Sequence, residues 1–246
     1  MVKIYIVNEM KKQTIPKELS ALITEEEIIM FKELQIKIQE LNKQTNLTRL
    51  MEGDDYWISQ VFDSIWPFKI FPNIDFDNKK FLDIGSGCGF PGLAYAITHP
   101  NSEIYLIDSS KKKTDALKSL IKEINFKNNL HIINDRIENL AHQSSCRNSF
   151  DIATTRAVSN PSTVSEYILP MLRKEGLGVL YCGKWNNEKS KNLDKALEIL
   201  EGKVKEKKMI LLPGSKATRN ILLIQPKRFC PAIYPRKVGK PEKNPL

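Results

Sequence analysis

"FLDIGSGCGFPG", residues 81 to 92, decides how the rest of the chain is read. A short apolar run ends in an acid, Asp83. Three glycines, Gly85, Gly87 and Gly89, then alternate with other residues, and Phe90-Pro91-Gly92 follows where a helix begins. A strand that runs through such a turn into a helix leaves a missing side-chain wall beside backbone N–H groups and a helix N-terminus, a setting for a nucleotide-like ligand. Pro91 suits the first turn of that helix. The pattern D-x-G-x-G-x-G differs from the G-x-G-x-x-G that cradles a pyrophosphate, so the expected ligand has none.

Outward from this turn, β-rich runs at 80–84, 103–108, 130–134, 150–155 and 178–183 alternate with helix-length stretches, among them 111–125 and 161–176. Alternation of this kind predicts a doubly wound parallel sheet. Two further runs, 207–212 and 220–224, are separated only by "PGSKATR", which is too short for a helical crossover and predicts an antiparallel pair. Five parallel strands and a closing hairpin make a seven-stranded α/β sheet of the Rossmann-like type. With Asp83 placed to meet an ammonium group, this describes an S-adenosylmethionine-dependent methyltransferase better than a nicotinamide-dependent dehydrogenase. Asp108 ends the second strand, where a carboxylate can accept from both ribose hydroxyls. Asp135-Arg136-Ile137-Glu138 follows the third strand and reads equally as an adenine-side loop or as a surface turn.

Ahead of the sheet, Thr24-Glu25-Glu26-Glu27 has the form of a capping box, and Phe31, Leu34, Ile38 and Leu41 recur at spacings of three and four. A second helix is expected around Tyr56 to Trp66, ended by Pro67, and 67–80 reads as a linker. The expected organisation is a helical cap over 1–75, a methyltransferase domain over 76–226 and a basic, proline-rich tail over 227–246.

Of 246 residues, 41% are hydrophobic and 27% charged, as in ordinary globular proteins. No apolar run is long enough to cross a bilayer, and the first residues lack the form of a secretory signal, so no membrane partner and a cytoplasmic location are expected. Cys88, Cys146, Cys182 and Cys230 stand far apart and only three histidines are present, which suggests neither a metal site nor a disulfide framework. The sequence sets no oligomeric state. Residues 201–246 hold twelve Lys or Arg against three Asp or Glu, the full +9 of the chain. Charge concentrated at one end favours a polyanionic partner. In the tail, Lys227, Arg228, Arg236, Lys237 and Lys240 are candidate RNA contacts, with Phe229 and Tyr234 able to stack on bases.

"DIGSGCGFPG", "LIDSSKKKTDALK", "DRIENL" and "FDIATTRAVS" together resemble the bacterial 16S ribosomal RNA guanine-N7 methyltransferase family, RsmG, formerly called glucose-inhibited division protein B. The resemblance extends to "LNKQTNLT" (41–48), "VFDSI" (61–65) and "YPRKVGKPEKNPL" (234–246), and covers roughly residues 25–246. It implies methylation of a guanine N7 in the 530 loop of 16S rRNA, with naked rRNA or small ribosomal subunit particles as partner. It also implies cofactor contacts from Gly85, Phe90, Ile137, Glu138 and Arg156, with Asp108 as the ribose acid. The sequence departs from the family at Gln60, where His is common, and at Cys88 and Phe90, which replace a smaller residue and a Leu. Guanine N7 has a lone pair and no hydrogen, so transfer to it needs no general base. Accordingly the chain has no Asn-Pro-Pro-Tyr loop and no evident cysteine nucleophile. Arg156, after the fourth strand, is the candidate catalytic residue.

Overall fold

The computed structural model describes residues 15–156, 160–215 and 217–246. The start of the expected cap and the 157–159 end of "FDIATTRAVS" lie outside the described residues. After one turn at Lys17–Ser20 comes α1 (Glu25–Thr45), opened by the expected capping box. The Glu27 N–H donates to Thr24 Oγ1 at 3.2 Å, and the Thr24 N–H to Glu27 Oε2 at 2.6 Å. Phe31, Leu34 and Ile38 of α1 are fully buried.

The second helix is not the regular one expected. It is α-helical over Gly53–Tyr56, π-helical over Trp57–Phe62, α-helical again over Asp63–Ile65 and 3-10 over Trp66–Phe68. The α-helical part stops at Ile65, and Pro67, expected to end the helix, sits inside the closing 3-10 turn. A π-helical turn widens the ladder and leaves carbonyls open to outside donors, a feature often found at functional sites. The stretch that reads as a linker sends Phe68, Phe71 and Phe76 into the core, so the helical region and the sheet share one apolar cluster.

The sheet then follows the predicted alternation: β1 (Lys80–Ile84), α2 (Gly92–Thr98), β2 (Glu103–Asp108), α3 (Lys111–Glu123), β3 (Asn129–Asn134), α4 (Ile137–Leu140), β4 (Phe150–Thr155), α5 (Pro161–Ile168), β5 (Leu172–Cys182), α6 (Asn187–Ile199), β6 (Gly202–Leu211) and β7 (Thr218–Pro226), with a last turn, α7 (Lys240–Lys243). Strand order is β3-β2-β1-β4-β5-β7-β6, and β7 alone runs against the others, pairing antiparallel with both β5 and β6. Successive side chains point to opposite faces. Thus Phe81 belongs to the apolar cluster that holds Phe31, Leu93 and Leu117 on one side, while Leu82 belongs to the one that holds Tyr167, Ile168 and Leu197 on the other. Each such burial stabilises by about 2 kcal/mol.

One crossover is shorter than predicted. The helix expected over 161–176 stops at Ile168, and after a 3-10 turn β5 begins at Leu172. Pro170 has no N–H to continue the ladder, and Leu172 takes extended backbone to pair with Phe150. Gly176 allows the irregular start of β5, since a Cβ there would stand 2.7 Å from the Phe150 carbonyl.

Candidate cofactor and methyl-transfer site

The carboxyl ends of β1, β2 and β3 border a crevice of about 290 Å³, lined among others by Gly85, Asp108, Ile137 and Tyr167. The glycine turn is built differently from the sequence expectation. Gly85 and Gly87 take positive φ, and a Cβ on Gly85 would meet nothing, so the wall is open there. Gly89 is instead packed: a Cβ would run into Leu93 and come within 3.1 Å of Leu117. The amides of the turn are not free donors either. Gly85 and Ser86 donate to the Ile107 carbonyl at 2.8 and 3.0 Å, Gly87 to Asp108 Oδ2 at 2.9 Å, and Gly89 to the Ser86 carbonyl at 2.7 Å. The turn therefore presents space rather than an anion cradle, which suits a cofactor without pyrophosphate.

Asp108 accepts one amide on each oxygen, the second from Ser110 at 2.8 Å, and so keeps lone pairs beside the crevice. Asp83 is completely buried. Its Oδ2 takes the Gly92 N–H at 3.0 Å, whereas Oδ1 has no partner among the described residues. Burial pushes its carboxyl up to about 7, against the pull of the Gly92 amide and the Arg156 charge. An orphaned buried carboxylate oxygen is costly unless a cation or donor completes it. Thr155 Oγ1, at the end of β4, is likewise buried and unpartnered. The two orphans lie on paired strands, β1 and β4.

Arg156 follows Thr155 and reaches the π-helical turn. Its Nη1 donates to the carbonyls of Ser59 and Gln60 at 3.1 and 3.3 Å and to Ser64 Oγ at 3.2 Å, and its Nη2 to Gln60 Oε1. Gln60, where the family commonly has His, donates from Nε2 to Cys88 Sγ at 3.0 Å. Asp63, also buried, lies 4.0 Å from Arg156 and takes both donors of Arg219 at 2.7 and 2.8 Å. Burial pushes the Cys88 thiol up, and likewise the Cys182 thiol to about 11, so neither is an activated thiolate.

The remaining predicted residues are placed as follows. Ile137 lines the crevice. Phe90 turns away from it into the core, edge-on to Tyr56 at 6.1 Å between ring centroids. Glu138 is buried under the crevice and held by Arg136 at 2.7 and 3.1 Å, by the Gly239 N–H at 3.0 Å and by the Tyr167 hydroxyl at 3.3 Å. Burial alone would raise its carboxyl, but Arg136 and the Gly239 amide hold it below the usual carboxylate range. Lys227, Arg228, Lys237 and Lys240 are exposed, as is Phe229. Arg236 is engaged: it grips the fully buried Glu166 through its backbone N–H at 2.8 Å, Nε at 2.9 Å and Nη2 at 2.6 Å. Sequence reasoning missed Tyr167, Thr155, Glu242 and the Asp63–Arg219 pair. None carries a local signal, because each acquires its place only when distant segments meet.

The family model described as rRNA small subunit methyltransferase G matches residues 27–220. The chain belongs to that family. It is 85% identical over 237 residues to Ribosomal RNA small subunit methyltransferase G of Prochlorococcus marinus strain MIT 9312, covering 96% of this chain and 100% of that protein. Identity to the protein of the same name from Prochlorococcus marinus strain SARG is 41%, over 90% of this chain and 87% of that one. Among solved structures, an O-methyltransferase from Bacillus cereus in complex with SAH shares the fold at a TM-score of 0.53 and 13% identity, covering 79% of this chain and 90% of that one. A predicted O-methyltransferase from Agrobacterium tumefaciens does so at 0.51 and 14%, covering 68% and 80%. The seven-stranded methyltransferase sheet expected from the sequence is thereby confirmed. Among the described residues, no group of three or more His, Cys, Asp or Glu is placed to hold a metal ion, and no helix is long and apolar enough to cross a membrane.

Proposed function

We propose that the protein transfers a methyl group from S-adenosylmethionine to N7 of a guanine in the 530 loop of 16S rRNA, acting in the cytoplasm on the rRNA or on small ribosomal subunit particles. Family membership supports rRNA methyl transfer. The observation that carries the cofactor is the buried, half-satisfied Asp83 beside an open glycine turn. Bound there, S-adenosylmethionine supplies an electrophilic methyl on a sulfonium centre.

Asp83 Oδ1 is the acceptor for the ammonium of the methionyl part, Asp108 for the ribose hydroxyls, and Gly85 and Ile137 give the surface for the purine. Arg156 stands at the donor end and is fixed by three bonds to the π-helical turn and a fourth to Ser64 just after it, so its charge is positioned before any substrate arrives. A bidentate Arg contact to guanine O6 and N7 would occupy the reacting lone pair, so Arg156 serves a carboxylate or a phosphate instead. No base is needed for N7, and the unactivated Cys88 and Cys182 agree with a reaction that uses no protein nucleophile. Alignment and exclusion of water remain as the source of rate, worth about 7 to 11 kcal/mol in favourable systems. The exposed Lys227, Arg228, Lys237 and Lys240 give the outer surface for rRNA phosphates.

The test is to incubate protein and donor with ribosomal particles lacking the modification and to map the methylated nucleotide by mass spectrometry. A single N7-methylguanine in the 530 loop is expected. Methylation of another base, or of protein only, refutes the assignment.

A further inference from the structure

The end of the chain does more than carry charge. Its first part is held by Arg147, which donates to the carbonyls of Cys230, Pro231 and Tyr234, and its end is bolted to the sheet domain by Arg236 on Glu166, by the Gly239 N–H on Glu138, and by the Pro241 carbonyl accepting from Thr163 Oγ1 at 2.9 Å. Glu138, Thr163 and Glu166 are all buried, so these are interior contacts rather than surface ones. The bolted segment delivers Glu242 to the crevice, where it joins Asp108, Arg136, Ile137 and Tyr167 in the wall. Arg136 Nη2 stands 3.7 Å from Glu242 Oε1, between the two carboxylates of Glu138 and Glu242.

Glu138 is thereby engaged on both oxygens and turned toward the strap. Its Oε1 receives Arg136, Gly239 and Tyr167, and its Oε2 receives the Arg136 Nε. Among the described residues, Glu242 has only the longer Arg136 contact, and it is half exposed at the crevice. A purine carrying an exocyclic amine needs an acceptor at its edge, and a carboxylate is acceptor-only when ionised. We propose that the C-terminal strap is part of the cofactor site, and that Glu242, rather than Glu138, is the carboxylate that recognises the amine edge of the adenine. Glu138 is then a positioning residue that holds the strap through Gly239.

This inference rests on the S-adenosylmethionine reading, and the test separates the two. The full-length chain is titrated calorimetrically with S-adenosylhomocysteine and with its deaminated inosyl counterpart, alongside Glu242→Ala and Glu242→Gln. Wild type should prefer the adenosyl ligand about tenfold, the effect of one charge-assisted hydrogen bond. Both variants should lose about tenfold in adenosyl affinity and abolish the preference. As a second readout, exchange of the Gly239 amide should slow at least tenfold on ligand binding, because the strap is part of the site. If Glu242→Ala keeps both affinity and preference while wild type binds, the role of Glu242 is overturned and the cofactor reading stands. If wild type binds neither ligand, the cofactor reading itself falls.

Discussion

The two flanks of β1 are finished by opposite means. Toward β3, a strap from the end of the chain closes the crevice over buried acids, Glu138 and Glu166, that already have their partners. Toward β4, Asp83 Oδ1 and Thr155 Oγ1 are buried without partners among the described residues, and Arg156 is tied to a π-helical turn from the first quarter of the chain. Saturated polar groups fix a shape, whereas unsaturated ones await a ligand. The contrast locates stability at one end and ligand dependence at the other.

The strongest way to break this contrast is Arg236→Ala, which strands the Glu166 carboxylate in the core. It should cost about 3 to 5 kcal/mol in chemical denaturation, with loss of the strap. A small loss in denaturation would show that the strap is not anchored as described. Next comes Asp83→Asn, which keeps an acceptor for Gly92 but removes the charge. S-adenosylhomocysteine affinity should fall about a hundredfold with little change in melting temperature. The same residue sets a pH profile. With its carboxyl raised to about 7 by burial, the ligand-ready anion is the minority form at pH 6, so affinity should rise about tenfold between pH 6 and 8 and flatten in the Asn variant. In the free protein the sign is opposite. The folded state holds this proton more tightly than the unfolded chain, so the stability it contributes is full below the ordinary carboxyl value of 3.8 and is lost as pH rises through about 7.

Arg156→Ala should lower methyl transfer at least tenfold while leaving the circular dichroism spectrum intact; unchanged turnover on ribosomal particles would remove Arg156 from the reaction. The mildest probe is Thr163→Val, which deletes one hydrogen bond to the strap and should cost about 1 kcal/mol in the same denaturation experiment. An effect as large as that of Arg236→Ala would mean that the strap docks through Thr163 rather than through Glu166.

Much of this frame was readable from residue order. The runs at 80–84, 103–108 and 150–155 are strands over those same residues, because alternating β-branched and aromatic residues bounded by turns leave few alternatives. Asp108 and Gly85 stand out in the sequence through their position at strand ends, and the structure places both at the crevice. Less legible was what each glycine does: Gly85 opens space while Gly89 admits Leu93, and only the packed partner tells them apart. The π-helical turn was invisible, since Tyr56 to Trp66 has ordinary helical periodicity and the partner of its carbonyls, Arg156, comes almost a hundred residues later in the chain. The tail appeared as a run of cations. Its buried half, Arg236 included, depends on Glu138 and Glu166, acids that look unremarkable in the sequence.

The pairing of Asp63 with Arg219 places a constraint on synthesis. A ribosome emits the carboxylate some hundred and fifty residues before the guanidinium that clasps it, so until the last strand emerges the nascent chain has only the more distant Arg156 to balance this acid. A product terminated ahead of residue 219 would retain six of the seven strands in full, yet lack the clasp that ties Asp63, just after the π-helical turn, to β7.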